Sequence, residues 1–227
     1  MLVGLQKSNA PFRKQAMGVL YGIAYLALGI LTISCSRSSV TVSDHAAKAQ
    51  SRQESASNTA YEIPSPPPGV GMQIHRKVAG EPDESGWCYA KSTEGGYSVL
   101  LPNVFADFSL TVNAQDGAEV KMFNLGTKDK QLVKFTTVAI FKRAGIKDDA
   151  LDGFDEPFKN RGATVDKRDV VHAGMNGIEL RIADAQSTAY FRILKNRTTM
   201  FQLAVEAPAS ISTSELEPDV KRFFDSF

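Results

Sequence analysis

Gly177-Ile178-Glu179-Leu180-Arg181-Ile182-Ala183, and then Thr199-Met200-Phe201-Gln202-Leu203-Ala204-Val205-Glu206, decide the fold class. In each stretch apolar side chains recur at every second position: Ile178, Leu180 and Ile182, then Phe201, Leu203 and Val205. Glu179, Arg181, Gln202 and Glu206 point the other way. A period of two belongs to a β-strand, whose successive side chains leave opposite faces. Thr164–Val171 and Thr188–Lys195 read the same way, with turn residues Met175-Asn176-Gly177 and Asn196-Arg197 between them.

Working outward, Trp87–Lys91 and Tyr97–Leu101 flank Glu94-Gly95-Gly96, which predicts a hairpin. Phe108, Leu110 and Val112 alternate with polar residues. Val120–Leu125 and the β-branched, aromatic stretch Leu132–Phe141 extend the strand pattern. Two helices are expected among these strands. One covers about Asp149–Asn160, where Leu151, Phe154 and Phe158 recur at helical spacing, although Pro157 is awkward there. The other closes the sequence: Leu216, Val220, Phe223, Phe224 and Phe227 form one apolar stripe, with Ser214 and Glu217 spaced as a capping box. Phe223, Phe224 and Phe227 are the expected structural anchors of that helix on the sheet. The fold class expected is α+β: an antiparallel sheet flanked by a central helix and a C-terminal amphipathic helix, in one domain over residues 86–227.

The preceding 85 residues differ in character. Residues 1–34 carry Lys7, Arg13 and Lys14 and no acidic residue, ahead of the apolar run Met17–Ser34. That pattern predicts a secretory signal or membrane anchor. Ser36–Ser85 holds nine Ser, five Pro and three Gly, including Pro64-Ser65-Pro66-Pro67-Pro68-Gly69. It reads as a flexible tether over 35–85, about 40 Å end to end as a random coil. A partner's aromatic groove is the rival use of its proline run.

Leu31-Thr32-Ile33-Ser34-Cys35 resembles the lipobox of bacterial lipoproteins, in which the chain is cut before a Cys that then carries a diacylglycerol. The resemblance implies lipidation at Cys35, with Ser34 as the small residue before the cut. Thr32 stands where that family usually has Leu. An uncleaved anchor and cleavage without lipid stay open beside it, and all three place the remaining chain outside the cytoplasm, in the cell envelope.

The order of elements resembles a second family. Tyr97-Ser98-Val99-Leu100-Leu101-Pro102, the strand Phe201-Gln202-Leu203-Ala204-Val205 and the close Val220-Lys221-Arg222-Phe223-Phe224-Asp225-Ser226-Phe227 are similar to PsbP-like and Mog-like domains, in which an antiparallel sheet packs between helices. The resemblance covers about Tyr89–Phe227. It implies a protein that binds partners or assists assembly rather than an enzyme, and transfers no functional residue.

The chain has 227 residues with 26 Lys+Arg against 25 Asp+Glu, a balance that calls for no nucleic acid partner. Its two Cys build neither a disulfide scaffold nor a Cys-rich metal site. His45, His75 and His172 lack metal-ligand spacing. Asp148, Asp149, Asp152, Asp155 and Glu156 could ligate a hard cation but read better as acids at a helix start. Cys88, without a cation or His beside it, reads as a small buried thiol. No catalytic, cofactor or metal residue is assigned. The expectation is a membrane-tethered binding or assembly module with a protein partner in the envelope; the alternative is an extracytoplasmic hydrolase whose site converges only in space.

Overall fold

The computed structural model describes residues 61–113, 117–142, 145–146 and 148–227. Cys35 and the signal segment lie outside the described residues. The described chain forms ten strands: β1 (Gly71–Ala79), β2 (Cys88–Lys91), β3 (Ser98–Leu101), β4 (Phe105–Asn113), β5 (Glu119–Lys128), β6 (Lys134–Lys142), β7 (Thr164–His172), β8 (Met175–Ala183), β9 (Ser187–Lys195) and β10 (Thr199–Pro208). Two short helices, α1 (Glu156–Lys159) and α2 (Thr213–Asp225), and a 3₁₀ turn at Asp148–Leu151 complete it.

Eight strands make one antiparallel sheet in the order β1-β4-β5-β6-β10-β9-β8-β7. Two meanders, β4-β5-β6 and β7-β8-β9-β10, meet where β6 pairs with β10. The connection from β6 therefore runs from mid-sheet to the far edge at β7. It crosses one face of the sheet, where Phe154 and Phe158 bury against Phe191 at ring separations of 6.5 and 5.8 Å. Tyr61, Ile63 and Val70 pack on this same strap face. The opposite, helix face is covered by the β2–β3 hairpin and by α2.

This architecture corrects the expected α+β class: the protein is mostly antiparallel β, and the central helix over Asp149–Asn160 does not form. Only four residues of it, Glu156–Lys159, are α-helical. Gly153 sits at φ 67° and breaks the run, while Pro157 is accommodated in the first turn of α1. The buried Phe154 reaches the core from a turn and Phe158 from the single turn of α1; rings at helical spacing are equally a property of a crossing pinned at two points.

The 35–85 tether is corrected in its distal part. Gly71–Ala79 is an edge strand on β4, with Met72 opposite Leu110 and Ile74 opposite Phe108. Few apolar side chains suffice there, because the ladder to β4 satisfies the backbone on one side and solvent does so on the other. Tyr61 is seated so closely over Gly126 that a Cβ on Gly126 would lie 2.5 Å from the ring.

The C-terminal helix forms and buries Leu216, Val220, Phe223 and Phe224. Its capping box is built two residues earlier than the sequence spacing of Ser214 and Glu217 indicates: Ser212 Oγ accepts from the Glu215 N–H, and the Glu215 carboxylate accepts from the Ser212 N–H. Phe223 meets Phe135 edge-on at 5.5 Å, and Phe135 meets Trp87 at 6.0 Å. Phe227 lies past the helix end, half-buried against Phe201 at 5.0 Å.

Candidate functional site

One row of the helix face crosses all eight strands in register: Arg76, Asp107, Leu125, Thr137, Leu203, Arg192, Glu179 and Arg168. Its middle is apolar or hydroxylic and lies beneath the hairpin and α2. Both ends carry guanidinium–carboxylate clusters, because adjacent strands in register place cross-strand neighbours within reach of one another.

At the β7–β9 end, Glu179 joins two guanidinium groups. Arg192 Nε donates to Glu179 Oε1 at 2.7 Å, and Arg168 Nε donates to Oε2 at 2.8 Å. The Arg192 side chain is only 10% exposed and its donors are fully used. Nη1 reaches the Phe224 carbonyl at 2.7 Å, and both Nη atoms lie 3.4 Å from Asp225 Oδ1. The guanidinium carbon also sits 4.9 Å from the centre of the Phe224 ring. Arg192 thus places a cation at the C-terminal end of α2, where the last carbonyls and the helix dipole favour one. His172 closes the cluster. Its Nε2 donates to the Phe227 carbonyl at 2.9 Å, leaving Nδ1 facing Arg192 Nη1 at 3.5 Å.

Between α2 and the uncovered part of β7–β9 runs an open groove of about 650 Å³. Arg168, Glu179, Arg181 and Tyr190 line its floor, and Glu217, Lys221 and Asp225 its helical wall. Arg181 Nη2 donates to Thr213 Oγ1 at 2.9 Å in the first turn of α2. Arg181 Nε and Tyr190 Oη are buried with no hydrogen-bond partner among the described residues. The Lys221 ammonium, bonded to Asp225, holds that carboxyl below the usual carboxylate range, and Arg192 adds to the effect. A second cavity of about 450 Å³ lies on the strap face of the same edge, between β7–β8 and Leu151-Asp152.

At the β1–β4 end, Asp107 Oδ2 accepts from Arg76 Nη2 at 2.6 Å and from the Thr93 N–H and hydroxyl at 2.9 and 2.6 Å. The hairpin loop closes over it through these Thr93 contacts.

The residues singled out by sequence are placed as follows. Phe223 and Phe224 are core, and Phe227 is a half-buried plug beside Tyr97 and His172. Cys88 is fully buried, and desolvation raises its thiol, with Asp83 nearby as a lesser cause. His75 faces Ser109 at 3.1 Å and Glu94 at 4.0 Å. Of the acidic cluster, Asp155 is buried between Lys159 and Lys167; hydrogen bonding to Lys159, with Lys167 second, brings its carboxyl down to about 2. Of His75 and His172, the two within the described residues, the structure brings His172 into the groove cluster; His45 lies outside the described residues. The sequence reading missed Arg192 and the bridging role of Glu179. The available signal was an arginine inside the apolar run Ala189-Tyr190-Phe191-Arg192-Ile193-Leu194, which a buried strand tolerates only with a partner in register.

No protein-family model matches the sequence, and comparisons with curated proteins and with solved structures return no relative.

Proposed function

We propose that the protein is a binding or assembly module of the cell envelope, held at a membrane through Cys35 or the apolar run before it, and acting without chemistry of its own on a protein partner. The observation that carries this reading is the groove between α2 and β7–β9. It is open along its length, and its central charges are committed to one another in the Arg168–Glu179–Arg192–Asp225–Lys221 chain. A general acid or base works best with a pKa near the operating pH. Asp225, the groove carboxyl whose pKa is displaced, is moved away from that range by its cations. Such a surface suits recognition, in which fixed charges select a complementary partner and suppress wrong ones. The lipobox-like Leu31–Cys35 supports the same reading.

Tyr61 lies 26 positions after Cys35. A chain segment of that length spans at most about 90 Å, enough for the groove to meet partners well beyond the lipid surface. The test is photo-crosslinking in intact cells from a probe at Glu217 on the groove wall. One discrete heterologous adduct at native abundance is expected; recovery of the monomer alone would overturn the proposal. Intact mass after membrane extraction then reads lipid on Cys35, an uncleaved anchor or plain cleavage directly.

A further inference from the structure

The sheet has two edges, and they are built differently. β1 pairs with β4 through two register breaks, between Ile74 and Arg76 and between Arg76 and Ala79. Such irregularities blunt an edge against further pairing. β7 pairs with β8 through all nine residues, Thr164 with Ala183 to His172 with Met175, without a break. Among the described residues no backbone group of 164–172 bonds outward. A straight, continuous row of outward donors and acceptors is a template for another strand.

Lysine and arginine on an edge ordinarily guard it. Here both are drawn back over their own sheet. Lys167 Nζ lies 3.1 Å from Asp155 on the strap face, and Arg168 is held by Glu179 on the helix face. Asp166 and Asp169, by contrast, are exposed and have no side-chain partner among the described residues. Val171 is exposed as well, at 74%. The two cavities described above straddle this same strand, one on each face: Asp166 and Arg168 border the larger, Asp169 and Val171 the smaller.

We infer that β7 receives an extended segment of the protein partner as a ninth strand. The inference rests on the binding-module reading and supplies its contact. Main-chain hydrogen bonds to β7 provide the attachment, and alternate side chains of the incoming strand enter the two cavities in turn, as in recognition by strand addition. Opposite charges directly across a strand pair stabilise it and like charges destabilise it. The fitting segment therefore carries Lys or Arg opposite Asp166 and Asp169. These basic residues stand three positions apart, so that one enters each cavity, and β-branched apolar residues face Val170 and Val171. A second copy of this chain is a poor occupant in the register centred between Lys167 and Arg168, which sets Asp166 against Asp169 and Lys167 against Arg168.

The probe is the acetylated, amidated nonapeptide TVVKTVKVT, titrated into the full-length chain and followed by amide hydrogen exchange. Saturable binding with new protection confined to 164–172 is expected. TVVETVEVT should fail to bind. The double variant Asp166→Lys, Asp169→Lys should lose roughly tenfold in affinity, with its melting temperature lowered only slightly: both side chains are exposed, but a Lys at 166 stands opposite Arg181. Val171→Lys, also exposed, should weaken binding in the same direction if the double variant misfolds. No saturation at millimolar peptide, protection on 71–79 instead, or equal affinity for the charge-reversed variant would overturn the inference. If crosslinking from Glu217 still captures a partner in that case, the binding-module reading stands without strand addition; if the peptide binds as expected and crosslinking yields monomer alone, that wider reading fails while the edge keeps its property.

Discussion

The two ends of the helix-face row use the same chemistry with different burial. At the hairpin end only the carboxylate is inside: the Asp107 side chain is 1% exposed and its partner Arg76 is 38% exposed. At the groove end both members of the central pair are inside, Arg192 at 10% and Glu179 at 12%, and the outlying Arg168 is 77% exposed. In both, register places the pair, and the covered charge draws on further groups as well: Asp107 on Thr93, Arg192 on Asp225 and the Phe224 carbonyl. The difference lies in the covering element. A hairpin loop that donates from Thr93 seals the anion, whereas a helix end that accepts through its carbonyls clamps the cation and leaves a groove beside it.

The largest effects should come from the element that spans both ends. Phe223 is fully buried between Phe135 and the hairpin, and Phe224 lies under the Arg192 guanidinium. Phe223→Ala is expected to cost about 3–5 kcal/mol, measured by urea unfolding. A melt coincident with wild type would show that α2 is a docking surface instead of a structural layer.

Breaking either ion cluster from the exposed or bridging side leaves a buried charge behind. Arg76→Ala leaves Asp107 with Thr93 alone and Glu179→Ala leaves Arg192 with Asp225 and the Phe224 carbonyl, so each should cost up to about 3 kcal/mol, the lower end for a broken buried pair. Replacing Glu179 by Leu together with Arg192 by Met should recover much of that loss, since it removes both desolvated charges. A double variant no more stable than Glu179→Ala would show that the ion cluster is indispensable to seating α2.

A smaller, pH-dependent effect is expected on the other face. Asp155 has its carboxyl lowered from 3.8 to about 2 by Lys159 and then Lys167. A depressed folded pKa contributes stability that is complete above the unfolded value and is lost as pH falls through the folded one. The shift corresponds to roughly 2 kcal/mol at neutral pH, disappearing between about pH 4 and 2. Asp155→Asn should lower stability by that amount at pH 7 and flatten the acid limb of a stability–pH profile in that window.

The smallest effect sharpens the comparison most. Arg168→Ala removes an exposed partner of a carboxylate that Arg192 still holds, so it should cost under about 1 kcal/mol. Equal losses for Arg168→Ala and Glu179→Ala in thermal melts would mean that the three charges act as one unit.

Limited proteolysis addresses the domain boundary. The stable core should begin near Tyr61 rather than near Gly86, since β1 is laddered to β4 and Tyr61 is seated on Gly126. A core beginning at Gly86 would mean that β1 opens readily from its edge.

Much of the architecture was legible in local patterns. The alternation in Ile178–Ile182 and Phe201–Val205, the turn Glu94-Gly95-Gly96 and the stripe Leu216–Phe224 each lie within a dozen residues, so period and turn chemistry identify them. Gln202 shows the limit: alternation sends it away from Leu203, yet the strap face it joins is covered too, and it is buried. β1 was hidden because an edge strand needs a ladder more than apolar side chains, and its ladder partner begins at Phe105, beyond the hairpin. The central helix was read from the spacing of Leu151, Phe154 and Phe158; of these Phe158 alone sits in the four-residue α1, and the crossing buries Phe154 without helical backbone.

By itself, then, the sequence determined the strand periodicity, the amphipathic last helix and the change of composition ahead of the domain, all of which depend on neighbours along the chain. Tertiary structure alone decided that Arg192 meets Glu179, that Asp107 meets Arg76, how far each member is covered, and that β7 is left as a continuous free edge. These follow from register and strand order, which join residues 11 to 33 positions apart, and a charge acquires its partner only once those distant strands lie side by side.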